Sequence, residues 1–242
     1  DNAIVSFTSN SDNYSAVNLD NNTSFTVGEN SKVTINSHSS KIEAWAVKTR
    51  RASVSVGSGS EVTVNSGYGG FYCDDLTLGD NAKLIVHADT GSGINMGGDS
   101  ITVGSGATLH VSSNEAYGIY APISNAKIHL NSGNVLVHGK KSAFYLYGSN
   151  KDFFVRGITS DEEITTYHSS DDKTWEEQDS VSWTAFTEGQ TAAPWFKTEA
   201  GAHVHVYTNG YECDGSKHHY GVCACGEKSP EAEACTYPDE PY

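Results

Sequence analysis

The 242-residue chain carries 15 Lys and Arg against 30 Asp and Glu, a formal net charge of −15. That balance excludes nucleic acid and anionic membrane surfaces as charge-driven partners. No stretch supplies the ~20 consecutive apolar positions of a spanning helix, so no membrane insertion is expected.

In chain order, the first elements are Val5-Ser6-Phe7 and Val17-Asn18-Leu19. They lie 28 residues ahead of two similar segments, Val33-Thr34-Ile35 and Trp45-Ala46-Val47. The pattern thus opens in mid-turn, as in a mature polypeptide with upstream sequence removed, and the single Met, Met96, is internal. From Phe25 to Leu146 five units of about 25 residues follow, each holding three short apolar-polar-apolar segments. The first segments are Phe25-Thr26-Val27, Val54-Ser55-Val56, Leu76-Thr77-Leu78, Ile101-Thr102-Val103 and Ile128-His129-Leu130. Gly28, Gly57, Gly79, Gly104 and Asn131 follow them, residue types that tolerate a sharp backbone turn. The second segments are Val33-Thr34-Ile35, Val62-Thr63-Val64, Leu84-Ile85-Val86, Leu109-His110-Val111 and Val135-Leu136-Val137. The third are Trp45-Ala46-Val47, Phe71-Tyr72-Cys73, Ile94-Asn95-Met96, Ile119-Tyr120-Ala121 and Phe144-Tyr145-Leu146. Phe153-Phe154-Val155 reads as the start of a further turn, after which the pattern fades.

Successive side chains on a strand face opposite ways, so the outer pair of each segment points to a core and the middle residue to solvent. Three strands per unit, each stacked on its copy about 4.8 Å away, define an all-β parallel β-helix of roughly 5–6 turns. One turn cannot bury its own apolar face, so the turns stabilise one another. An antiparallel sandwich also has short alternating strands, but it predicts no fixed three-strand repeat. It also predicts no recurrent small-large step such as Gly70-Phe71, Gly93-Ile94 and Gly118-Ile119, which is read as continuing back to Ala44-Trp45 and on to Ala143-Phe144.

This solenoid, taken as residues 1–157, resembles in architecture the pectate lyases, polygalacturonases and many bacterial surface adhesins. The enzymes of that group carry their acids, bases and metal ligands on outward strand positions. Those positions here are Thr26, Ser55, Thr77, Thr102, His129 and Phe154 on the first strands, and Ser6, Thr34, Thr63, Ile85, His110 and Leu136 on the second. On the third they are Asn18, Ala46, Tyr72, Asn95, Tyr120 and Tyr145. None is Asp, Glu, Lys or Arg, so neither the basic residue and cation-holding carboxylate of a lyase nor the paired carboxylates of a hydrolase are expected there. Loop carboxylates Asp74, Asp75 and Asp80 are the nearest alternatives. His110 and His129 fall on different strands of adjacent turns and read as isolated exposed residues. Asn36, Asn65, His87, Ser112 and His138 form a polar column after the second strand, suited to satisfying backbone groups at the bend.

The third strands offer a different chemistry. Tyr72, Asn95, Tyr120 and Tyr145 share one outward column, with Tyr72 and Tyr120 two turns, about 10 Å, apart. Flat aromatic faces at that spacing suit pyranose rings, and Asn95 suits their hydroxyls. The same column also fits plain strand propensity and same-face packing, or a protein interface.

Residues 158–200 are acidic and contain Trp175, Trp183 and Trp195. A cap or linker is expected there, with the tryptophans sealing the open end of the core. No Asp-x-Asp-x-Asp-Gly loop is present, which favours a solvated acidic surface over a calcium site. Residues 201–242 form a Cys/His-rich module with Cys213, Cys223, Cys225 and Cys235, whereas Cys73 reads as a buried small hydrophobe equivalent to Val47 and Met96. The four tail cysteines fit two disulfides or a tetrahedral zinc site.

His205-Val206-Tyr207, Cys213, His219-Tyr220 and Cys223-Ala224-Cys225-Gly226-Glu227-Lys228 resemble short His/Cys repeats of cell-surface proteins from anaerobic Gram-positive bacteria. Cys235-Thr236-Tyr237 departs from the pattern, which opens with His at that place. The resemblance implies a structural zinc held by His205, Cys213, Cys223 and Cys225, with disulfides as the other reading. Together these features predict a secreted or cell-wall-associated, non-catalytic bacterial display protein binding a glycan or a cell-surface protein. A loop-based polysaccharide lyase or hydrolase and a passive stalk are the alternatives. The net charge favours a neutral glycan over an anionic polymer unless a cation bridges them.

Overall fold

The computed structural model describes residues 2–11, 13–19, 22–49, 51–98, 100–122, 127–130, 132–146, 164–177, 193–200, 211–213, 218–221 and 233–234. Among them all regular structure is β, and the larger unit is a parallel solenoid of about five turns. The chain opens with β1 (Ile4–Ser9), β2 (Val17–Asn18), β3 (Phe25–Val27), β4 (Lys32–Ser37) and β5 (Val47–Lys48). The next two turns are β6 (Ser53–Val56), β7 (Glu61–Ser66) and β8 (Phe71–Cys73), then β9 (Asp75–Leu78), β10 (Lys83–Ala88) and β11 (Ile94–Met96). The last two are β12 (Ser100–Val103), β13 (Thr108–Ser113) and β14 (Tyr117–Ala121), then β15 (Lys127–Leu130), β16 (Asn134–Gly139) and β17 (Ser142–Leu146). Three parallel stacks result: a long face of β1, β4, β7, β10, β13 and β16, a tyrosine face of β2, β5, β8, β11, β14 and β17, and a short face of β3, β6, β9, β12 and β15.

The inward columns are as the alternation requires. Val33, Val62, Leu84, Leu109 and Val135 pair in register on the long face, all buried. On the short face Val54, Leu76, Ile101 and Ile128 do the same. Cys73 pairs with Met96, is fully buried, and has its thiol pKa pushed well above the ordinary value by burial, with the charges of Asp74 and Asp75 adding to it.

Three expectations need correction. On the tyrosine face Phe71 pairs with Val47 and Tyr72 with Lys48, not with Trp45 and Ala46. Val17 likewise pairs with Val47. A two-residue slip preserves which side faces in, so the sequence pattern alone is indifferent to it. It puts a lysine into the outward column beside Tyr72, and the residue following in register with Cys73 is Thr49 rather than Val47. At the turns, the left-handed residues are Asn30, Gly59, Asn81 and Gly106, each two positions beyond the expected glycine. Gly57 is needed for close approach instead, since a Cβ there would lie 2.8 Å from Glu29 N in the preceding turn.

The third correction concerns the end of the core. β18 (Ile164–Ser169), β19 (Glu176–Glu177) and β20 (Trp195–Ala200) extend the long face antiparallel, with Val137 opposite Phe196. Among the described residues Phe196 covers the end of the core, 1% exposed and edge-to-face with Phe144 at 5.0 Å. Alternation along β20 turns Trp195 outward, where it stacks on His138 at 3.8 Å. Trp175 lies beneath Lys197 Nζ at 4.5 Å, and Trp183 falls outside the described residues, as does Phe153-Phe154-Val155. The strands β18, β19 and β20 group with the solenoid strands. The second compact unit, 158–163 with 201–242, contains β21 (Tyr211–Cys213), β22 (His218–Gly221) and β23 (Glu233–Ala234), all antiparallel.

Candidate functional site: an aromatic cleft on the tyrosine face

The outward column of the tyrosine face runs as expected through Tyr72, Asn95, Tyr120 and Tyr145, paired in register. Its two ends differ in what they present. Tyr120 and Tyr145 stack on one another at 4.8 Å and 24°, and Tyr117 joins them at 5.4 Å and 5.0 Å. Each ring covers a face of its neighbour, and Lys141 Nζ sits 5.5 Å from the Tyr117 ring centroid. Desolvation within this cluster, followed by the adjacent phenols of Tyr145 and Tyr117, raises the Tyr120 pKa. The cluster packs as a same-face aromatic ladder of half-buried rings, a stabilising device.

At the other end the column opens into a cleft of about 720 Å³ lined by Ile42, Glu43, Trp45, Lys48, Arg51, Tyr68, Tyr72, Asp74, Asn95 and Gly97. Small-molecule sites are typically ~300–1,000 Å³. The cleft exists because the loop between β4 and β5, residues 38–46, has nine residues. The matching loops 67–70, 89–93, 114–116 and 140–141 have four, five, three and two. The surplus carries Ile42 and Glu43 outward as a wall, while Trp45 folds back as a floor, 5% exposed. Trp45 lies on the bare backbone of Gly69, where a Cβ would sit 2.3 Å from the indole Cζ3. Its ring meets Tyr68 edge-on at 5.1 Å and Tyr72 at 5.7 Å.

The polar rim is built as specifically. Lys48 Nζ donates to Glu43 Oε2 at 3.0 Å, and the lysine side chain is only 14% exposed. Asp74 presses on the Gly97-Gly98 backbone, where a Cβ on Gly98 would lie 2.3 Å from Asp74 Cβ. Asn95 Oδ1 is buried and has no hydrogen-bond partner. An amide oxygen in that state lacks about 1–3 kcal/mol of solvation that a donor would restore. Arg51 and Asp74 also border a second depression of about 320 Å³, shared with Asn22, Thr23 and Ser24.

Of the residues picked from sequence, Tyr72 and Asn95 thus meet in one cleft, and Tyr120 and Tyr145 belong to the ladder. Trp45, Lys48, Arg51, Tyr68 and Tyr117 were not anticipated; the long 38–46 loop is the signal that points to most of them. His110 and His129 sit on the long and short faces respectively, so they form no pair. The polar column is a side-chain ladder in part, with Asn65 Nδ2 donating to Asn36 Oδ1 at 3.0 Å and His87 Nδ1 3.0 Å from Ser112 Oγ. Of the four expected zinc ligands, Cys213 ends β21 opposite His219, while His205, Cys223 and Cys225 lie outside the described residues. No helix among the described residues is long and apolar enough to cross a membrane. Comparison with known proteins finds no matching family model, no similar curated protein and no similar solved structure.

Proposed function

We propose that the protein is an exported or cell-wall-associated bacterial display protein whose solenoid binds a glycan and performs no chemistry on it. The observation that carries this reading is the cleft itself, where the half-buried rings of Tyr68 and Tyr72 stand beside the unpartnered Asn95 Oδ1. Aromatic rings offer the apolar face of a pyranose a partner, and the Asn95 amide, by turning its buried oxygen outward, gains from the hydroxyls the hydrogen bond it lacks. Binding belongs to the cleft rather than to Tyr120 and Tyr145, whose faces already cover one another.

A glycan array probed with the parent, with Tyr68→Ala/Tyr72→Ala and with Tyr120→Ala/Tyr145→Ala tests it. The cleft variant should lose binding while remaining folded by thermal melt, and the ladder variant should keep it. Silence of the parent across the array, or equal loss in both variants, sinks the reading. Asp74 on the cleft rim is the observation in favour of a polysaccharide-active enzyme. New reducing ends or unsaturated products from a bound polysaccharide would establish that alternative. The tail is proposed to hold a structural zinc through His205, Cys213, Cys223 and Cys225, checked by metal content per chain with and without chelation. Two disulfides found by mass mapping instead would remove the zinc.

A further inference from the structure

We infer that the cleft selects carboxylate-bearing sugars and that Arg51 is the residue that reads the carboxylate, an inference that rests on the glycan reading above. Backbone conformation supplies the first argument. Among the described residues, the non-glycine positions at positive φ are Asn2, Asn22, Asn30, Asn81, Asp172, Glu43 (71°) and Arg51 (53°). Asn and Asp visit that region readily because their short side chains bond locally, whereas other residues lose roughly 1–2 kcal/mol. The two residues without that excuse both line the cleft. The chain uses glycine elsewhere for the same conformation, at Gly59 and Gly106. Long charged side chains kept in a strained conformation on either side of one cavity point to a task for the side chains.

Charge supplies the second argument. The cleft has four ionisable groups with full charge, Glu43, Lys48, Arg51 and Asp74. Lys48 is neutralised by Glu43 at 3.0 Å. Asp74 makes the cleft neutral overall but has interactions of its own, whereas Arg51 is exposed and has no ion-pair partner among the described residues. A planar guanidinium is the side chain best matched to a carboxylate, because it can donate two parallel hydrogen bonds. The overall net charge of −15 opposes an anion at long range, so the preference must come from this local contact. It differs from the expectation of a neutral ligand drawn from total charge. The class that fits the cleft is a pyranose with a free carboxylate: its ring on Tyr72, a hydroxyl to the Asn95 amide as its oxygen turns out of its buried position, its carboxylate to Arg51.

The test compares matched pairs: 3′-sialyllactose with lactose, and glucuronate-terminated with glucose-terminated disaccharides, by titration calorimetry and on an array of such pairs. The parent should bind the acidic member of at least one pair about tenfold tighter or more, the scale of a hydrogen bond to a charged group. Arg51→Gly suits this backbone and should fold at least as well as the parent while bringing the pair to within twofold. Arg51→Lys should restore part of the preference, and Tyr72→Ala should weaken both members. Equal binding of both members by the parent, lost in Tyr72→Ala, overturns the role of Arg51 and leaves the glycan reading standing. A preference that survives Arg51→Gly overturns the assignment to Arg51. Absence of binding to every member of every pair overturns both.

Discussion

Gly93→Ala should destabilise the solenoid more than Gly59→Ala, although Gly59 is the one with a left-handed backbone. At Gly59 (φ 66°) an added Cβ meets only Asn30 Oδ1, at 2.5 Å, the end of a side chain that can swing away. The loss there is the conformational term, about 1 kcal/mol. At Gly93 the Cβ would stand 2.3 Å from Val111 Cγ1 and 2.9 Å from the carbonyl oxygen of Gly118. One neighbour is a buried core side chain on the next turn and the other is its backbone, so neither yields locally. The same position recurs one turn earlier, where a Cβ on Gly70 would lie 2.2 Å from Val86 Cγ1 and 2.4 Å from Gly93 O. Overpacking of this kind costs about 1–3 kcal/mol, and rigid backbone on one side argues for the upper half of that range. For a domain of this size that corresponds to a fall in melting temperature of roughly 4–12 °C, against about 2–4 °C for Gly59→Ala. Circular dichroism melts of the parent and the two variants measure it directly. If Gly93→Ala melts within a degree of the parent, or above Gly59→Ala, the turns are not in the close contact described here.

Phe196→Ala should remove the closure of the core at a cost of about 3–5 kcal/mol, seen as faster amide exchange in β16 and β17 than in β7 and β10; uniform exchange would assign the closure elsewhere. Cys73 should resist iodoacetamide in the native protein at pH 8 and react on unfolding, as peptide mapping can follow, because its thiol is buried with its pKa pushed up. Glu61 lies between Lys32 (3.1 Å) and Lys83 (3.5 Å), and the Lys32 hydrogen bond holds its carboxyl below the ordinary range. A lowered folded pKa means its contribution is complete above the unfolded carboxylate pKa and fades as pH falls through the folded one. Glu61→Gln should therefore lower stability by less than ~1 kcal/mol at pH 7 and by progressively less as pH falls through the folded pKa. A difference that grows toward low pH would contradict that sign.

The fold was legible because its determinants repeat. Each inward column is set by a period-two alternation, and five copies of the same three-strand unit average out local noise. What was not legible follows from the same rule. The segment Ala44-Trp45-Ala46-Val47 contains two small-large steps, and both registers bury the large residue, so the pattern cannot choose between them. In the structure Val47 takes the position beside Phe71, and the indole of Trp45 lies on Gly69, where no side chain intervenes. The choice shifts Ala46 out of the tyrosine column and Lys48 into it, and the column without charges becomes a cleft with an ion pair at its edge. Trp45 is buried, as its position in the pattern suggests, but outside the register of Phe71, and that slip is what hides the cation beside Tyr72 from the sequence. The loop length held the missing information: nine residues where its counterparts have two to five must leave the solenoid surface, and whatever they wall off becomes concave. In a regular solenoid the departures from the repeat, not the repeat itself, are where recognition chemistry has room to form.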